Sequence, residues 1–168
     1  MLRALLVCGL ILTAPAVADD AEDFEALIAD FETHETRDDP EENPDAAGRW
    51  ADLSPEALAE AREAEADFLA RLEAIDADAL PESQAVNYAT MDYVLRFRVE
   101  LAQYDMQRAP FSNDSGFFSM PLYTASSTRP RDVEAAANWI SQLEDLPRYL
   151  DENIYWMRQG IEAGYTQP

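Results

Sequence analysis

The chain has 168 residues, 34 of them acidic and 12 basic, for a formal net charge of −22, and its length suits one domain. All twelve basic residues are arginine, which excludes a lysine Schiff base and a P-loop. So acidic a surface also repels nucleic acid, whose binding needs a basic patch to release counterions.

Residues 1–18, MLRALLVCGLILTAPAVA, carry Arg3, an apolar run from Ala4 to Leu12, and the small-x-small ending Ala16-Val17-Ala18 before Asp19. This is the pattern of a cleavable signal peptide, too short for a span of about 20 apolar residues. Cleavage after Ala18 is expected, with a periplasmic or secreted destination and no membrane attachment afterwards. Cys8, the single cysteine, leaves with the leader, so the mature chain has no disulfide or thiol chemistry.

Residues 19–53 read as an acidic helix followed by a proline-rich linker. Phe24, Leu27, Ile28 and Phe31 fall at i, i+3, i+4 and i+7 and predict an amphipathic helix from about Ala21 to Thr36. His34-Glu35 with Asp38 matches an H-E-x-x-H zinc motif whose second histidine is missing. His34 is the only histidine, and one imidazole among mobile carboxylates does not close a zinc site, so a solvated helix end is expected. The following stretch DDPEENPDAAGRWADLSP has no period and reads as a loop.

Residues 54–168 read as a helical domain. Ser54 caps a helix with Pro55 at its first position, and Leu58, Ala61, Phe68, Leu69, Leu72 and Ile75 line one face. A longer helix, reaching about Gln107, is expected to pack through Val86, Ala89, Tyr93, Phe97, Leu101 and Tyr104. Residues 109–127, APFSNDSGFFSMPLYTASS, break all periodicity and read as a second irregular loop. Val133, Ala136, Ala137, Ile140 and Leu143 mark a fourth helix that Pro147 stops at Leu146. A fifth begins at Pro147, faces inward through Leu150, Ile154, Met157 and Ile161, and ends before Gly164 as its left-handed residue. With no β alternation, the expected fold is all-α: antiparallel helices with two irregular loops.

The NDSG stretch, Asn113 to Gly116, is not a calcium loop, because Phe111 occupies the first ligand position. It is not a nucleophile elbow either, lacking the glycine two residues before Ser115 and a histidine to activate the serine. On its residues alone it reads as a tight turn, with a ligand contact as the second reading. Trp139, Tyr149, Tyr155 and Trp156 read as packing residues rather than a sugar platform. Glu100, Asp105 and Glu144, and the pairs Arg96/Arg98 and Arg129/Arg131, read as solvated or surface-paired charges.

Four stretches in order, WADLSPEALAEAREAEADFLARLEAIDADAL, ESQAVNYATMDYVL, PFSNDSGFF and WISQLEDLPRYLDENIYWMRQGIEAGYTQP, resemble the bacterial exported family known as domain of unknown function 885. The resemblance covers Trp50 to Pro168. It implies a much longer helical protein with a zinc-protease-like H-E-x-x-x-G-H motif well beyond Pro168, a zinc cofactor for the full-length family and a peptide substrate. No position here matches a family metal ligand, so this chain is expected to carry no catalytic, cofactor-binding or metal residue of its own. Asn113, Asp114, Ser115, Gly116 and Phe117 are the candidate lining of the peptide cleft. The expectation is the amino-terminal fragment of an exported zinc-metallopeptidase-like hydrolase, missing its carboxy-terminal portion and inactive alone. The alternative is a complete small periplasmic helical module that binds a protein partner without catalysis.

Overall fold

The computed structural model describes residues 17–39, 43–112 and 114–165. Most of the expected signal peptide (1–16), Asn113 of the NDSG stretch, and the final Thr166-Gln167-Pro168 lie outside the described residues. The described residues form five α-helices: α1 (Val17–Glu35), α2 (Pro55–Glu73), α3 (Glu82–Ala102), α4 (Met120–Ser127) and α5 (Val133–Glu162). Short 3-10 turns lie at Pro44–Ala46, Ala77–Ala79 and Met106–Arg108. The only strand-like pairing among the described residues is one isolated antiparallel bridge, Phe111 to Gly116. The protein is all-α, as its patterning requires.

Helices α1 to α3 run up, down and up around one core. Along α1 and α2 the pairs Phe31–Phe68 and Asp30–Arg71 and the bond from Asp76 N–H to Asp20 advance in opposite directions. Between α2 and α3 the same is true of Arg96–Glu73, Arg98–Glu65 and Arg62–Asp105. Phe24 and Leu27 of α1, Phe68 and Leu72 of α2, and Met91 and Leu95 of α3 are buried together, with Ile75 and Leu80 closing the end of the bundle. The Ser54 hydroxyl accepts the Ala57 N–H at 3.2 Å with Pro55 just inside, so α2 starts as its sequence specifies.

Four expectations are corrected. First, α3 turns the other way: Met91 and Leu95 are buried and Tyr88 half-buried, while Val86, Tyr93, Phe97, Leu101 and Tyr104 are exposed. The helix is apolar on opposite sides, and spacing alone does not tell which side α1 and α2 cover. Second, α3 ends at Ala102, short of Gln107, because Asp105 takes a left-handed φ of 47° before the next 3-10 turn. Third, residues 120–127 are helical, opened by Pro121 in the first turn; α4 has no fully buried residue to give it a readable stripe.

Fourth, Pro147 does not divide α5, which runs unbroken through it. An interior proline forfeits the bond to the carbonyl four residues back and costs about 3 kcal/mol. Here the turns on either side are tied to an outside strand of chain: Trp50 Nε1–H donates to the Gln142 carbonyl at 2.8 Å, and Arg148 joins Asp145 to Glu152 across the proline. The inward face of this half is Tyr149, Asn153, Trp156 and Gly160, about a quarter-turn from the expected Leu150, Ile154, Met157 and Ile161. Gly164 does take the left-handed position, with φ +84°, and the Tyr165 and Gly164 N–H groups bond back to the carbonyls of Gly160 and Ile161.

Candidate functional site

The most densely bonded polar region joins the extended strap 49–54 to α5. Arg148 donates from Nε and Nη2 to the two oxygens of Asp145 at 2.7 and 2.6 Å, and from Nη1 to those of Glu152 at 3.0 and 2.8 Å. Nη2 also reaches the Trp50 carbonyl at 2.8 Å, and Nη1, sharing an N–H, the Ala51 carbonyl at 3.3 Å. The carboxylates in turn accept strap N–H groups: Trp50 N–H to Asp145 and Leu53 N–H to Glu152, each at 2.8 Å. Trp156 Nε1–H closes the row on the Leu53 carbonyl at 2.6 Å, and the Trp50 ring lies 5.3 Å from that of Tyr149. Gly48 fits against Asn138 and Ser141, where a Cβ would come within 3.0 Å of the Ser141 side chain.

A guanidinium has five N–H donors, and those of Arg148 are all engaged. The hydrogen bonds that Arg148 donates to Asp145, opposed by burial, raise its pKa, and the same bonds hold Asp145 below the usual carboxylate range. A cleft of about 650 Å³ opens beside this clamp, with Arg37, Arg49 and Arg148 set among Asp38, Asp52 and Asp145. It is therefore close to neutral in a chain of net charge −22. The Ser54 N–H, donating to Asp52, lowers that carboxyl also. Asp52 and Asp145 thus stay ionised at neutral pH and neither serves there as a general acid. The clamp is a structural fastening.

Of the NDSG stretch, Asp114, Ser115 and Gly116 are described, and they turn back on Phe111 and Ser112. Ser112 N–H donates to the Ser115 carbonyl at 2.7 Å, and the Ser112 hydroxyl to Asp114 at 3.2 Å and the Ser115 carbonyl at 3.3 Å. Asp114 and Ser115 are exposed, Gly116 and Phe117 half-buried. A Cβ on Gly116 would stand 2.6 Å from that of Phe111, so only glycine allows this approach. Buried Ser119 exchanges bonds with Gly116, and the Tyr149 hydroxyl donates to the Phe117 carbonyl at 3.4 Å, seating the turn on α5. Gly160 lets the chain at Arg108 pack equally close, where a Cβ would meet the Arg108 carbonyl at 2.5 Å.

The other charges singled out in the sequence are paired or dispersed. Arg96 holds Asp92 and Glu73, Arg98 holds Glu35 and Glu65, and Asp105 takes Arg62 and Arg108; Glu100 and Glu144 are exposed. His34 sets its ring 5.3 Å from that of Phe68. Among the described residues no group of three or more His, Cys, Asp or Glu is placed to hold a metal ion, so they do not fit the zinc that the resemblance implies. The clamp itself went unread although its three members stand at i−3, i and i+4, because the expected break at Pro147 placed Asp145 and Arg148 on different helices.

The family model described as "Bacterial protein of unknown function (DUF885)" matches residues 37–168, and the chain belongs to that family. No curated protein and no solved structure matches it.

Proposed function

We propose that this chain is a helical part of an exported, zinc-metallopeptidase-like hydrolase, contributing packing surface and cleft wall while the metal and general base come from elsewhere in the full-length protein. The observation that carries this reading is the amount of large apolar surface left open. Val86 and Tyr93 of α3, Leu122 of α4 and Val133 of α5 are each more than half exposed. Such faces on several helices are those of a unit that packs against another body. The donor chemistry agrees: the one histidine rests on Phe68, and the carboxylates of the clamp are taken by Arg148.

A mixed peptide library incubated with the chain, with and without zinc, is expected to show no turnover, while a hydrophobic dye binds. Turnover that survives chelation and repurification overturns the reading, as does a sharp melt with no dye binding, which favours the module without catalysis. A reading frame continuing past codon 168 into an H-E-x-x-x-G-H sequence would support it directly. Export is tested by the mature amino terminus: mass spectrometry is expected to find Asp19 first, and a retained Met1 or a lipid on Cys8 refutes it.

A further inference from the structure

The exposed side of α3 has a shape as well as an apolar character. Val86, Ala89, Thr90 and Tyr93 stand at i, i+3, i+4 and i+7, and with Ala85 they surround an open hollow of about 470 Å³. The hollow is shallow and wide open, and residues at this spacing are the set that frames one inserted side chain of a facing helix. Its floor is small (Ala85 and Ala89), and the far wall is stiffened by the Tyr93 and Phe97 rings, stacked at 6.3 Å and 6° from parallel. Val86 and Tyr93 are 72 % and 71 % exposed, so nothing among the described residues fills the hole.

The charge around the stripe selects the occupant. Glu82 and Glu100 are both exposed and lie on the same side of α3 at its two ends, 18 positions and so about 27 Å apart. The two arginines of the helix are already committed, Arg96 to Asp92 and Glu73, Arg98 to Glu35 and Glu65. The stripe therefore offers apolar contact between two acidic ends, in a chain of net charge −22 that repels an anionic lipid surface. The geometry points to a docking face for an amphipathic α-helix, about five turns long, whose apolar stripe is flanked at both ends by lysine or arginine. This rests on the reading of the open faces as packing surfaces and names the chemistry of what packs there.

The probe is a synthetic 18-residue helical peptide with a leucine and alanine stripe and lysines at both ends. Two controls accompany it: a scrambled peptide of identical composition, and the same stripe with glutamates at the ends. Fluorescence anisotropy is read for the chain and for Tyr93→Asp, Ala89→Glu and Val133→Asp, each checked for an unchanged melt. The lysine-ended peptide is expected to bind, Tyr93→Asp and Ala89→Glu to weaken it by about ten-fold or more, and Val133→Asp to leave it unchanged. Neither control is expected to bind comparably. Equal binding of the scrambled peptide would show attraction to net charge alone, equal binding of the glutamate-ended peptide would remove the role of the acidic ends, and equal loss in Val133→Asp would move the site off α3; each overturns the proposal. If no peptide binds while dye binding persists and is reduced in Tyr93→Asp, the partner chemistry is wrong and the packing surface stands. If dye binding is absent as well, both fall.

Discussion

Replacing Arg148 by methionine removes the guanidinium at the centre of the clamp while keeping an unbranched apolar stem. Asp145 and Glu152 each retain one strap N–H but lose two oxygen contacts to a guanidinium. An exposed ion pair is worth about 0–1 kcal/mol, and breaking a fully buried one costs about 3–5 kcal/mol. The side chains here are 34 % exposed for Arg148, 20 % for Asp145 and 18 % for Glu152, between those limits. We expect a loss of about 2–3 kcal/mol, and at roughly 2–4 °C per kcal/mol a fall in Tm of about 4–12 °C. Tryptophan fluorescence is the sensitive assay, because all three tryptophans (Trp50, Trp139 and Trp156) lie in the strap or on α5. Most of the loss should come from stranded charge, so adding Asp145→Asn and Glu152→Gln to Arg148→Met should restore at least half of it. A fall below about 1 °C for the single variant, or a triple variant no better than the single, refutes the account of the clamp.

Gly160→Ala should destabilise the protein by about 1–3 kcal/mol by chemical denaturation, against the gain of about 1 kcal/mol that alanine usually brings to a helix interior, because the new Cβ meets the Arg108 carbonyl at 2.5 Å. Asp145, with Arg148 bonded to it, has a folded pKa below its unfolded value near 4, so its stabilisation is complete above about pH 4 and is lost as pH falls through the lower folded value. Melts across pH 2–6 should show this acid limb, and Asp145→Asn should flatten part of it. His34→Ala should leave bound zinc unchanged by elemental analysis and cost only about 1 kcal/mol for the lost ring contact with Phe68; stoichiometric zinc that disappears in the variant would refute this.

Local signals carried the parts of the fold that local chemistry decides. The Phe24-Leu27-Ile28-Phe31 spacing, the Ser54-Pro55 start and the Gly164 stop each specify a conformation within a turn or two, and each is present. What depended on distant chain was not legible. Pro147 reads as a helix stop, and α5 continues because residues more than 90 positions away bond to the turns beside it. The Met120–Ser127 helix has no buried face and so no stripe. The clamp needs both the continuous helix and the strap, and the NDSG stretch reads as a turn equally well whether or not it borders a cleft.

The misassigned face of α3 follows from the same physics and tells something of its own. At 3.6 residues per turn, Tyr88, Met91 and Leu95 point roughly opposite to Val86, Tyr93 and Phe97. A helix with one apolar stripe settles a bundle's edge; a helix with two is built to lie between neighbours. Periodicity selected the stripe with the longer run, and α1 and α2 cover the other. The same holds along α5, where Val133, Ile140 and Leu143 lie on the side away from Asn138, Asp145 and Tyr149, which meet the strap and its neighbours. Two helices of one chain thus each present a second apolar face away from the contacts the fold makes. At about 25 cal/mol per Å² of apolar surface removed from water, covering even a few of these side chains is worth several kcal/mol, comparable with the whole stability of a domain this size. Tyr93→Asp should accordingly leave the melt of the isolated chain nearly unchanged, since that face contributes nothing to its own core, and destabilise any assembly in which α3 is covered.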